Sequence, residues 1–142
     1  DWVVLQHVVH TFGEGETLFP AARRIQEMIA QTRAKTLLYL TWEEKERAAA
    51  QPKMTDCYLQ LSRELQVPVA PVGEVWHTFR RLHPEIELYD PDGRHASPFG
   101  SQLAACVLAT ALLGQPVSQE EPVWQEVSRL AWEQFCHFRE IG

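Results

Sequence analysis

Three short apolar runs, each followed by a stretch with helical spacing, limit what this chain can fold into more than any other feature. Trp2-Val3-Val4-Leu5 is the first run, Thr36-Leu37-Leu38-Tyr39-Leu40 the second and Val67-Pro68-Val69-Ala70 the third. A half-exposed strand alternates apolar with polar residues. A continuous apolar run instead predicts a strand covered on both faces. After the first run, Thr17 is placed to cap a helix with Leu18, Ala22, Ile25 and Ile29 on one face. Pro52 opens a second helix, with Met54, Tyr58, Leu61 and Leu65 in register. Val72, Val75, Trp76, Phe79 and Leu82 mark a third. Strands alternating with helices predict an α/β fold, a three-layer α/β/α sandwich around a parallel sheet. Pro68 puts the third strand at an edge or at a strand end. Two further helices follow. One is capped by Ser97, opened by Pro98 and stopped at Gly114; the other opens at Pro122, with Trp124, Val127, Ala131, Phe135 and Phe138 inward.

The 142 residues make one domain with enough chain for a real core. Net charge is −6 and no basic run exceeds a pair of arginines, which speaks against nucleic acid as a partner. No apolar run approaches the roughly 20 residues of a membrane helix. Cys57, Cys106 and Cys136 are odd in number and far apart. They form neither a disulfide framework nor a zinc motif, and Cys106 reads as a small core residue. The chain opens on an apolar run without a signal-peptide pattern. The expectation is a domain over residues 1–142 lacking its first βα unit. The missing segment, or another chain, would then cover the sheet edge beside Trp2.

In a parallel sheet, working residues gather beyond the carboxyl ends of the strands. Here those ends carry Gln6 and His7, then Thr41 and Trp42, then Ala70-Pro71-Val72-Gly73. The other candidate lies in Asp90-Pro91-Asp92-Gly93-Arg94-His95-Ala96-Ser97. A carboxylate three residues before a histidine, on a tight turn, can hold one ring nitrogen and leave the other as a general base. The same composition also suits a plain turn with a surface histidine. His7 and His10 have His-x-x-His spacing, but a strand end splays them to opposite faces and no third ligand is near, so no metal site is expected. The run Trp42-Glu43-Glu44-Lys45-Glu46-Arg47 reads as a solvated face, and His77, His83 and His137 as helix-surface residues. Of the five tryptophans, Trp42 is the one expected near a site.

The block from Asp92 through Ser101 to Ala105 resembles the last block of the SGNH, or GDSL-type, hydrolases. In that family an Asp-x-x-His pair supplies the acid and base of a serine triad. Asp1-Trp2-Val3-Val4-Leu5-Gln6 resembles the family's second-block strand and Leu38-Tyr39-Leu40-Thr41-Trp42 its third-block strand. Val69-Ala70-Pro71-Val72-Gly73-Glu74-Val75-Trp76 is similar to a strand-to-helix junction of one branch. The resemblance covers most of the chain to Gly114. It implies an SGNH-hydrolase or flavodoxin-like fold, with Asp92 and His95 as catalytic residues of a serine esterase and no cofactor. Its substrates would be small-molecule, carbohydrate or lipid esters. Two features depart from the pattern. No serine follows a strand at an elbow, and Thr41-Trp42-Glu43 stands where the family offers an asparagine to the oxyanion. Gln6, Thr41 and Trp42 are then the candidates for the oxyanion or substrate pocket. The rival reading is a non-catalytic α/β binding domain or a degenerate relative.

Overall fold

The computed structural model describes residues 1–7 and 15–141, apart from the side chains of residues 15–18. Three parallel strands form one sheet in the order of the chain. They are β1 (Trp2–Leu5), β2 (Lys35–Tyr39) and β3 (Val69–Ala70). Val4 pairs with Leu37, and Leu38 with Val69. Pro68 sits just outside β3, where its missing N–H costs nothing and its carbonyl still accepts from Leu38 N at 2.9 Å.

Among the described residues five α-helices flank the sheet: α1 (Gly15–Ile29), α2 (Gln51–Leu65), α3 (Val72–Leu82), α4 (Pro98–Leu113) and α5 (Pro122–Ile141). Alternation along the strands sorts the core into two layers. Leu37 and Ala70 join Trp76, Phe79, Leu103, Val107 and Phe135 under α3, α4 and α5. Leu38, Leu40 and Val69 face Ala22, Met54, Tyr58 and Leu61 under α1 and α2. Each burial of a leucine-sized side chain contributes about 1.5–3 kcal/mol, so these two layers carry most of the stabilisation.

The helix ends follow from their capping residues. The Ser97 hydroxyl accepts from Gly100 N at 3.1 Å, and Pro98 occupies the first turn, where its missing donor is harmless. Gly114 ends α4 in the left-handed region at φ 66°. Gly100 permits a close approach. A Cβ there would stand 2.3 Å from the Leu88 carbonyl oxygen and 2.5 Å from the Trp76 ring. Both neighbours are fully buried, so α4 starts hard against the segment that leads into the 89–96 turn.

Several expectations are corrected. Helix α1 begins at Gly15, two residues before the anticipated Thr17 cap, and Ile25 is exposed rather than inward. Among the described residues, strand β1 is not covered on both faces. Leu5 packs under α1 and α2, whereas Trp2 and Val4 are 38% and 42% exposed. The register puts Val4 on the same face as Leu37, yet α3, α4 and α5 stop short of it. The run 42–47 is not a solvated face at its start: Glu43 is buried, and a short 3-10 helix, Lys45–Ala50, leads into α2.

Candidate active site

Residues 89–96 close a narrow hairpin. Tyr89 bridges Ala96, and Asp90 N donates to His95 O at 2.9 Å. Gly93 N returns to Asp90 O, with Gly93 at φ 69°, a conformation glycine reaches without penalty. Inside this turn Asp92 is fully used. Its Oδ1 accepts from the backbone N–H of Arg94 at 2.9 Å and of His95 at 3.0 Å. Its Oδ2 lies 2.5 Å from His95 Nδ1. The structure therefore brings together the two residues that the sequence proposes as an acid–base pair.

The protonation states follow from these contacts. The hydrogen bond from His95, with the two backbone donors, holds the Asp92 carboxyl down at about 2. Asp92 in turn raises His95 above its ordinary 6.5, chiefly through that same hydrogen bond. An ionised carboxylate only accepts, so Nδ1 carries the proton and, in the neutral ring, Nε2 is the acceptor. No described residue hydrogen-bonds Nε2, and the His95 side chain is 80% exposed. The pair can thus take up a proton at one defined atom, on an open surface.

The turn is fixed to the segment that follows β2. Lys45 N donates to Gly93 O at 2.8 Å and Trp42 Nε1 to Arg94 O at 3.0 Å. The Arg94 guanidinium faces Glu44 at 3.3 Å. Lys45, Glu46, Pro91 and Asp92 line a polar cavity of about 270 Å3 between the two segments. Behind it, the Gln51 amide brackets the chain: Oε1 accepts from Glu43 N at 2.8 Å and Nε2 donates to Thr41 O at 3.2 Å. The Tyr89 hydroxyl donates to Glu43 O at 2.7 Å. Sequence reasoning missed Gln51, whose amide turns back on a loop 8 and 10 residues earlier, and Tyr89 and Lys45, whose contacts cross more than 40 residues. For Tyr89 the only signal was its place at the head of the Asp-x-x-His block.

The remaining candidates lie elsewhere. Thr41 is 3% exposed and stands behind the rim. Gln6 is exposed at the end of β1, beside a cavity of about 90 Å3 that it shares with His7, Ile25 and Tyr58. No hydrogen bond among the described residues joins Gln6 to the Asp92–His95 turn. His7 N donates to the buried Tyr58 hydroxyl at 3.2 Å; His10 lies outside the described residues. Three serines spend their hydroxyl protons on backbone carbonyls: Ser62 on Val67, Ser97 on Glu87 and Ser128 on Val117. Ser101 lies on α4 and Ser118 in the loop after it, and neither is bonded to His95. Burial pushes the Cys57 and Cys106 thiols up, away from thiolate chemistry. Among the described residues no group of three or more His, Cys, Asp or Glu side chains is placed to hold a metal.

A solved structure is similar to this architecture. It is a protein from Slackia heliotrinireducens described as "a putative SGNH hydrolase". The two superpose with a TM-score of 0.59 and 28% sequence identity, over 77% of this chain and 64% of that one. The fold is α/β, of the SGNH-hydrolase type. The present chain spans less than two thirds of that protein's length. No family model matches the sequence, and no curated protein matches it.

Proposed function

We propose that this chain carries the acid–base half of a serine hydrolase site acting on ester bonds. The observation that supports the reading is the Asp92–His95 pair, with Nδ1 held at 2.5 Å and Nε2 left open. The likeness to an SGNH-type structure adds weight. The nucleophile is assigned to a serine outside these 142 residues, because none of the five serines within them meets His95. A βα unit of the same polypeptide, adding its strand beside β1, would deliver it. The helix of such a unit would cover Trp2 and Val4, which are 38% and 42% exposed.

The chemistry then runs in balanced steps. The serine oxygen bonds to the acyl carbon as its proton passes to His95 Nε2, giving a tetrahedral oxyanion. Collapse breaks the bond to the leaving oxygen, which takes that proton from Nε2. Water repeats the sequence on the acyl-enzyme, releasing the acid and restoring the serine. Throughout, Asp92 stays ionised, holds the Nδ1 proton and stabilises the imidazolium. The substrates would be small-molecule, carbohydrate or lipid esters, and Gln6 is the candidate for a contact with them.

The test uses a longer protein that includes the preceding polypeptide. It should hydrolyse p-nitrophenyl acetate and be labelled by a fluorophosphonate at one serine, whereas the 142-residue chain should do neither. A longer protein with no serine at a strand-to-helix elbow would establish the rival, a non-catalytic binding domain or degenerate relative. The exposure of His95 and the absence of a serine partner are what that rival has in its favour.

A further inference from the structure

The tryptophan at the end of β2 is engaged in a way that a substrate wall would not require. The Trp42 ring lies flat on Trp76, with centroids 4.0 Å apart and 6° between the planes. Trp76 is 1% exposed and meets Tyr89 edge-on at 5.1 Å. The Arg80 guanidinium stacks over the Tyr89 ring at 4.9 Å. One face of Trp42 is therefore covered by a buried ring. Its single donor, Nε1–H, is committed to Arg94 O, the carbonyl between the acid and the base. The neighbouring carbonyl, of Gly93, is taken by Lys45 N. Two successive carbonyls of the acid–base turn are thus held by donors from the segment that follows β2.

The Asp92–His95 pair itself needs none of this. All three of its hydrogen bonds are closed within residues 92–95. What a self-contained turn lacks is a fixed place relative to the sheet. We propose that Trp42 is a positioning residue. Through its indole N–H, braced on Trp76, it registers the whole Asp92–His95 turn on the carboxyl-terminal rim of the sheet. The catalytic consequence rests on the hydrolase reading above; the mechanical one does not. A misplacement of about 1 Å can cost on the order of 100-fold in rate, so such a brace has a measurable effect.

Trp42→Phe keeps a ring for the stack and deletes the donor. In the 142-residue chain, amide exchange at Lys45, whose N–H crosses to Gly93 O, should quicken at least tenfold. Exchange at Asp90, internal to the turn, and at Leu38, in the sheet, should not change. The raised titration of His95, read by NMR, should also persist. In the longer protein, kcat for p-nitrophenyl acetate should fall at least tenfold, with KM within twofold and the acid limb of the pH profile unmoved. In the wild-type chain, the Trp42 indole proton should exchange more slowly than that of the exposed Trp2, a readout that needs no variant to fold.

Unchanged Lys45 exchange in the variant overturns the proposal, as does an unprotected Trp42 indole proton. Quickening at Lys45 and Leu38 together makes Trp42 a packing residue only. A change confined to KM makes it a substrate contact. If Lys45 alone loosens while the longer wild-type protein hydrolyses nothing, the brace stands and the hydrolase reading falls.

Discussion

Two histidines in this fold are each held by carboxylates and both are raised above their ordinary titration range, yet they suit opposite purposes. His95 meets one carboxylate through Nδ1 and leaves Nε2 open on the surface. His83 ends α3 and uses both nitrogens: Nδ1 meets Glu85 at 3.2 Å and Nε2 meets Glu126 on α5 at 2.9 Å. Its ring stacks on Phe79 at 4.6 Å, and only a quarter of the side chain is exposed. The sequence reading placed His83 on a helix surface; it is instead a tie between α3 and α5. A base needs an unoccupied nitrogen and a place for the substrate beside it. Two carboxylates around one imidazole favour a standing imidazolium, which can accept nothing. The number of carboxylates and the freedom of the second nitrogen separate the two roles; the pKa shift does not.

The largest expected effect breaks or confirms that separation directly. In the longer protein, His95→Ala should lower kcat by about 1,000-fold or more, the scale of a lost triad member. His83→Ala should leave it within about twofold, the scale of a substitution that touches no reacting atom. Steady-state hydrolysis of p-nitrophenyl acetate by both variants checks this. Equal losses would mean that the proposed base has been assigned to the wrong histidine.

A second measurement sharpens the comparison through pH. His95 must be neutral to accept a proton, so the acid limb of kcat/KM should lie above 6.5. Asp92→Asn removes the main cause of the raised value. The limb should then move down toward 6.5 while the plateau falls, because the ring tautomer is no longer fixed. Asp92 itself, at about 2 against an ordinary 3.8, favours the folded turn above pH 3.8 and loses that contribution as pH falls toward 2. NMR titration of the His95 ring in the 142-residue chain follows both changes without any turnover. An acid limb that ignores Asp92→Asn would remove Asp92 from the mechanism.

The same contrast explains how much could be read from the sequence. The strands and helices were legible because periodicity of apolar residues is a local property. The Asp92–His95 pair was legible for the same reason: its atoms lie three residues apart, and Gly93 supplies the turn that brings them together. His83 reaches Glu126 across 43 residues, and Trp42 reaches Arg94 across 52, so neither partner is written near its residue. The open face of β1 escaped for a different reason. An apolar run says that it wants cover, but it does not say which element comes, and here Trp2 and Val4 stay exposed among the described residues. The burial of Glu43 was hidden because its backbone is held by Tyr89, 46 residues away, as well as by the nearer Gln51.

The last prediction concerns His83 as a tie. Its protonated ring bridges Glu85 and Glu126, and Glu126 also faces Arg129 at 3.8 Å, which pairs with Glu133 at 2.8 Å. Hydrogen bonding to Glu126 is the first cause of its raised titration. A group raised in the folded state stabilises it fully below its unfolded value, here 6.5, and loses that contribution as pH climbs through the folded one. Glu126→Gln keeps the shape and removes the charge. The variant should therefore melt a few degrees lower than wild type at pH 5.5, with the gap narrowing as pH rises past 7. Arg129 loses a neighbour in the same variant, but a guanidinium keeps its proton in proteins, so that loss carries no pH dependence of its own. Thermal melts of both proteins at several pH values decide it. A gap that stays constant with pH would assign the loss to Arg129 or to packing, and His83 would no longer stand as the charged counterpart of His95.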